Sequence, residues 1–143
     1  MSVLDNFTDF YKDLRTDKLE QLQTIYHPDI IFTDPVGSHV GLVTVHEYFK
    51  HLLETTRRCE FHIQHITNAT DFAFVRWVMI LEHPKLAGGN EIKLDGVSEL
   101  KIDNNLIVAQ TDFYDMGAMF YEHIPVLKNL VRFVKNKIKN YKA

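Results

Sequence analysis

The sequence predicts an α+β fold in a single domain spanning residues 1–143. Three observations carry this. Apolar residues at the N-terminus recur at helical spacing, the middle of the chain reads as strands separated by turn signals, and a basic helix closes it. At 143 residues the chain is long enough to bury one real core.

Leu4, Phe7, Phe10, Tyr11 and Leu14 fall on one face of a helix predicted over residues 3–15. Thr16 or Asp17 caps a short second helix carrying Leu19, Leu22 and Ile25, which His27-Pro28-Asp29 ends. Ile30 to Thr33 reads as a short strand. Val43 or Thr44 opens a third helix running to Thr56, with Val45, Tyr48, Phe49 and Leu52 on its apolar side.

Four antiparallel strands follow: 59–68, 72–83, 91–102 and 106–114. Turns at Ala69-Thr70-Asp71 and Asp103-Asn104-Asn105 join the outer pairs, and a Gly88-Gly89 loop joins the middle two. The period of two assigns faces. In the third strand Lys93, Asp95, Val97, Glu99 and Lys101 face one way. Leu94, Gly96, Ser98, Leu100 and Ile102 face the core, so the Ser98 hydroxyl needs a partner there. In the second strand both faces are mostly apolar: Phe72, Phe74, Val78 and Ile80 share a side with Arg76, and Val75, Trp77, Met79 and Leu81 take the other. In the last, Val108, Gln110, Asp112 and Tyr114 share a face. Sheet strands apolar on both sides require a second cover, and a homodimer packed through sheet faces supplies it. A C-terminal helix follows, with Pro125 near its start or at a kink.

Composition bounds the partners. Apolar residues are 45% and charged residues 24%, ordinary for a soluble domain, and the net charge of −3 gives no reason to expect nucleic acid. Cys59 is the single cysteine, so no intrachain disulfide can form, and a reducing compartment is expected. Met1 to Asp5 shows no basic segment leading into an apolar one, and no apolar run is long enough to span a bilayer, so a cytoplasmic location is expected. The charge is uneven: Ile124 to Ala143 holds six of the 16 basic residues and no acid. A basic last helix complements its own macrodipole; contact with a membrane surface is its second use.

The most informative stretch is Asp34-Pro35-Val36-Gly37-Ser38, an acid at the end of a half-buried strand. Such an acid either forms the turn by accepting backbone N–H groups or stands as a base in an apolar hollow. Arg76 and Asp112 form a second pair of interest. If both project inward they make either a structural ion pair or a site in which Arg76 holds an oxyanion or carboxylate. Asp115 sits where it can cap the helix across Met116-Gly117-Ala118. The eight histidines show no metal-ligand spacing, so neither a metal nor another cofactor is expected.

Helices first, then a strand ending in Asp-Pro-Val-Gly-Ser, a helix and a curved sheet: this order resembles the nuclear-transport-factor-2-like superfamily. Steroid delta-isomerases, SnoaL-like polyketide cyclases and limonene epoxide hydrolases belong to it. Asp34 to Ser38, with Gly41 and the helix after it, is similar to the isomerase segment holding the proton-shuttling aspartate. Thr111-Asp112-Phe113-Tyr114-Asp115 is similar to the hydrolase segment holding one of two catalytic aspartates. The resemblance implies a cone, a strongly curved, mixed or antiparallel sheet wrapped around N-terminal helices with an additional C-terminal helix, whose open end leads to an apolar pocket. It implies Asp34, Arg76 and Asp112 as catalytic residues. Phe10 then stands at the isomerase's oxyanion tyrosine, with Tyr11 one place away. Ser98 stands near its protonated aspartic acid, and Val78 where the hydrolase has its second acid. Phe10, Tyr11, Tyr26, Phe32, Phe74, Val78, Ser98, Gln110 and Tyr114 are the expected ligand contacts. The expected activity is cofactor-free acid–base chemistry on a hydrophobic carbonyl compound, by isomerisation, cyclisation, dehydration or hydrolysis; the other reading is a binding or scaffold protein without catalysis.

Overall fold

A computed structural model describes residues 2–119 and 123–141. Helix α1, Val3–Tyr11, opens with a capping box: Ser2 Oγ accepts from Asp5 N–H, and the Asp5 carboxylate accepts from Ser2 N–H. It ends earlier than its apolar spacing predicts because Lys18 caps it. The buried ammonium donates to the carbonyls of Asp9, Phe10 and Asp13 at 2.9, 3.3 and 3.0 Å. The segment Thr16–Thr24 is a 3₁₀ helix. Its buried residues Leu19, Leu22 and then Ile25 are spaced by three, the 3₁₀ period, and so face one way without an α-turn.

Six strands form one mixed sheet: β1 Tyr26–Asp34, β2 Gly37–Val40, β3 Arg58–Asn68, β4 Phe72–Glu82, β5 Ile92–Asp103 and β6 Leu106–Tyr114, in the order β2-β1-β6-β5-β4-β3. Among the described strands only β1 and β6 run parallel, and their register shifts between Tyr26 and Ile31. Pro28 falls inside that irregular stretch, where its missing N–H breaks no regular ladder. The expected short strand is therefore part of a longer one. The Asp34-Pro35-Val36-Gly37 turn folds it back onto β2, which sequence reading missed. Asn104 and Asn105 take φ of 50° and 60°, the left-handed geometry of a tight hairpin between β5 and β6.

Helix α2, Leu42–Glu54, buries Val45, Phe49 and Leu53 against the inner face of the curved sheet. That face presents Val75, Trp77, Met79, Leu94, Leu100 and Ile107, and α1 adds Phe7 and Phe10. The predicted alternation in β5 holds residue by residue: Lys93, Asp95 and Lys101 are exposed while Leu94, Gly96, Ser98 and Leu100 are buried. The outer face exposes Ile31, Phe72, Phe74 and Phe113. A short helix α3, Met116–Met119, follows β6, and α4, Pro125–Lys139, carries Pro125 in its first turn. Asp115 caps α3, its Oδ1 accepting from Gly117 N–H at 2.8 Å.

Candidate functional site

The inner sheet face and the helices enclose a narrow cavity of about 70 Å³. Asp34, Asp112, Tyr11, Phe32, Tyr48 and Tyr114 line it, and Phe49, Phe61, Trp77 and Met79 supply apolar wall. Among the described residues no lysine or arginine reaches it. An opening of this size holds a few waters or one small group. A wider surface groove between the 3₁₀ segment and α2, lined by Leu19, Pro28, Val43 and His46, contains neither aspartate.

The parallel pairing of β1 and β6 brings the two acids together. Phe32 pairs with Gln110 and Thr33 with Thr111, so Asp34 and Asp112 follow at one level on adjacent strands. Asp34 forms the turn and also borders the cavity. Its Oδ1 accepts from Val36 N–H and Gly37 N–H at 2.9 and 3.2 Å and so forms the turn. Its Oδ2 accepts from the Tyr48 hydroxyl at 2.6 Å beside the cavity. Tyr48 comes from α2, where its spacing marks it only as part of an apolar face. Burial, then the bond to Asp34, holds its phenol far above the usual tyrosine range. The His39 ring lies against Tyr48, centroids 4.1 Å apart, and its enclosed Nε2 has no partner among the described residues.

Asp112 is held by a layer of side chains behind it. Ser98, its register partner on β5, donates to Oδ1 at 2.6 Å, and Gln110 Nε2 donates to the same oxygen at 2.9 Å. Trp77 Nε1–H in turn donates to Ser98 Oγ at 2.9 Å. Ser98 thus finds the partner its position demanded. Among the described residues no hydrogen bond falls on Asp112 Oδ2. Burial pushes the Asp112 carboxyl up to about 6; the two donors pull it down and the Asp34 charge adds to the rise.

The layer has a direction. An ionised carboxylate only accepts, so Gln110 turns its Nε2 toward Asp112 and its Oε1 toward Tyr26. Tyr26 gives its single proton to Gln110, and Tyr11 therefore donates to Tyr26 across 2.6 Å. Tyr114 is different: it lines the cavity, and no hydrogen bond engages its hydroxyl among the described residues. Burial, with the two aspartate charges, raises its pKa, so it keeps its proton at neutral pH. Cys59 also lines the cavity, and burial pushes its thiol up to about 12.

The expected site is thus partly assembled and partly corrected. Asp34, Asp112, Tyr11, Phe32 and Tyr114 converge; Tyr26, Ser98 and Gln110 stand one layer behind. Arg76 does not join them. It is half exposed on the outer face, opposite Val97, with Asp95 as its nearest carboxylate at 3.9 Å. Phe74 and Val78 share that outer face. The cause is strand parity: Val75 pairs with inward-facing Ser98, so residues one place away point outward. Phe10 is fully buried in the core, its ring 5.1 Å from Tyr11 and 5.9 Å from Phe49, and is not part of the lining. Among the described residues no three His, Cys, Asp or Glu side chains cluster as metal ligands.

A curved mixed sheet closed by helices over a carboxylate-bearing cavity defines a cone-shaped α+β pocket protein. A family model for the SnoaL-like domain matches residues 7–110, and the chain belongs to that family. Among solved structures it is similar to a putative SnoaL-like polyketide cyclase from Shewanella denitrificans, at TM-score 0.71 and 19% identity, over 87% of this chain and 95% of that one. It is also similar to a hypothetical protein with ketosteroid isomerase-like fold from Catenulispora acidiphila, in complex with trimethylamine (TM-score 0.71, 12% identity, 81% and 87% covered). A third is TerC co-crystallised with polyporic acid (TM-score 0.72, 17% identity, 86% and 98% covered). At these identities the likeness is one of fold. Among curated proteins, none matches the sequence.

Proposed function

We propose that the protein is an acid–base catalyst of the isomerase, cyclase, dehydratase or hydrolase type, acting on a small hydrophobic carbonyl compound. One observation carries this reading. A buried acid with its carboxyl raised to about 6 and a phenol free to donate line the same apolar hollow. Asp112 takes a proton next to the carbonyl through Oδ2, and Tyr114 donates to the oxygen on which charge develops. Asp34, with one oxygen held by the turn and the other by Tyr48, keeps a second negative charge close by, which favours proton uptake by Asp112. Arg76 has no part in this scheme. TerC, which shares the fold, was co-crystallised with polyporic acid, and that supports an organic ligand for this chain.

The test is proton exchange. A panel of cyclic ketones and enones is incubated with the protein in deuterated water, and deuterium next to the carbonyl is followed by NMR. Wild type is expected to exchange at least one compound, with Asp112→Asn slowing it about 100-fold or more and Tyr114→Phe about tenfold or more. A compound that binds without exchange in wild type, across the panel, overturns catalysis. What would remain is the second reading, a ligand-binding protein of the same fold.

A further inference from the structure

Helix α4 is amphipathic and mostly unpacked. At about 100° per residue, Val126, Leu130, Phe133, Val134 and Ile138 share one arc of the helix, and all are exposed, Ile138 at 72% and Val126 at 80%. The body holds α4 by a different edge. Val131 lies beside Gly117, and Lys135 Nζ stands 3.6 Å from Asp115 Oδ2. The apolar arc begins beside that edge, Ile138 about 20° from Val131, and turns away from it toward Phe133.

The charge of the helix is one-sided. Lys128, Arg132 and Lys139 fall beyond the contact edge, and among the described residues none has a carboxylate within 4.0 Å. Lys137 lies within the apolar arc, its ammonium 5.6 Å from the Phe133 ring centre. A long amine at that position buries its stem with the apolar residues and keeps its head at the polar boundary. From Ile124 to Ala143 there is no acid at all.

We infer that α4 is a docking surface for an anionic phospholipid bilayer, lying in the plane of the headgroups with its apolar arc inserted. A helix with an apolar arc on one side and only cations among the charges of its other side fits that surface in both respects. The outer sheet face of a second copy is a poorer match for the cationic side, because it interleaves its phenylalanines with charges of both signs, Arg76 and Lys101 with Asp95 and Glu99. Among the described residues no helix is long and apolar enough to cross a membrane, so a docked α4 would lie on the surface rather than span it. Its contact at Asp115 follows directly on Tyr114, so docking brings the cavity end of β6 toward the lipid.

The experiment is co-sedimentation of the full chain with vesicles of pure phosphatidylcholine, and with vesicles of equal parts phosphatidylcholine and phosphatidylglycerol. Binding to the anionic vesicles is expected to be at least ~tenfold stronger and to weaken as salt is added. Val134→Asp with Ile138→Asp should abolish it. Arg132→Glu with Lys139→Glu should lower it ~tenfold or more. All four positions are exposed, so near-UV circular dichroism should match wild type. Equal or absent binding to the two vesicle types overturns the inference. So does a dimer by light scattering that the Val134/Ile138 pair of changes returns to a monomer, since a second copy would then cover the arc.

Discussion

Ser98 and Asp112 face each other across β5 and β6, and the serine hydroxyl reaches Asp112 Oδ1 at 2.6 Å while accepting from Trp77. That single contact joins the interior of the sheet to the acid in the cavity. Together with the Gln110 bond to the same oxygen, it turns Oδ1 to the wall and leaves Oδ2 without a partner among the described residues.

The raised carboxyl of Asp112 makes stability depend on pH. Its folded pKa of about 6 lies above that of an unfolded aspartate. The native state therefore binds the proton more tightly, and the stabilisation is present in acid and lost as pH rises through 6. Asp112→Asn should remove that slope and leave the variant roughly 1–3 kcal/mol more resistant to urea relative to wild type at pH 8 than at pH 4. Urea melts of both proteins across this range check it; parallel curves would show that the carboxyl titrates normally.

Gly96 is packed flat against the Trp77 indole. A Cβ placed there would lie 2.1 Å from the ring, far inside contact distance. Gly96→Ala should displace Trp77, break its bond to Ser98 and cost roughly 1–3 kcal/mol. Trp77 is the only tryptophan, so its fluorescence reports the shift directly. An unchanged spectrum and midpoint would contradict the packing.

Cys59 lines the cavity with a thiol held up to about 12, so it is a poor nucleophile. Iodoacetamide should modify the folded protein slowly at pH 8 and the urea-unfolded chain about 100-fold faster. Comparable rates in the two states would mean that the thiolate forms readily.

The outer sheet face exposes Phe72, Phe74, Phe113 and Ile31, and we expect a second copy to cover it. Sedimentation velocity should give a dimer, and Phe113→Glu a monomer with the melting temperature of a folded domain. A wild-type monomer at high concentration would rule out this use of the face.

Much of this architecture is legible in single residues. The alternation of Lys93 to Ile102 separates solvent from core, and it identifies Ser98 as a hydroxyl that must be paired. The same parity places Arg76 on the side of Phe72 and Phe74, against the role its resemblance to a hydrolase arginine implies. Local pattern outweighs analogy there because a strand has only two faces. Other features depend on distant partners. The length of α1 is set by Lys18, and the meeting of Asp34 with Asp112 by a parallel pairing between strands far apart in sequence. Tyr48 looks like any helical core aromatic until the Asp34 turn is folded beneath its hydroxyl.

The direction of the phenol relay restricts what can rest on the cavity floor. Tyr11 has committed its proton inward to Tyr26, and Tyr48 has given its own to Asp34, so both turn only lone pairs outward. An occupant meeting them must bring its own O–H or N–H. Among the described phenols of the lining, Tyr114 alone can greet a bare oxygen. A molecule bearing a hydroxyl at one end and a ketone at the other would find its orientation dictated before any reaction began.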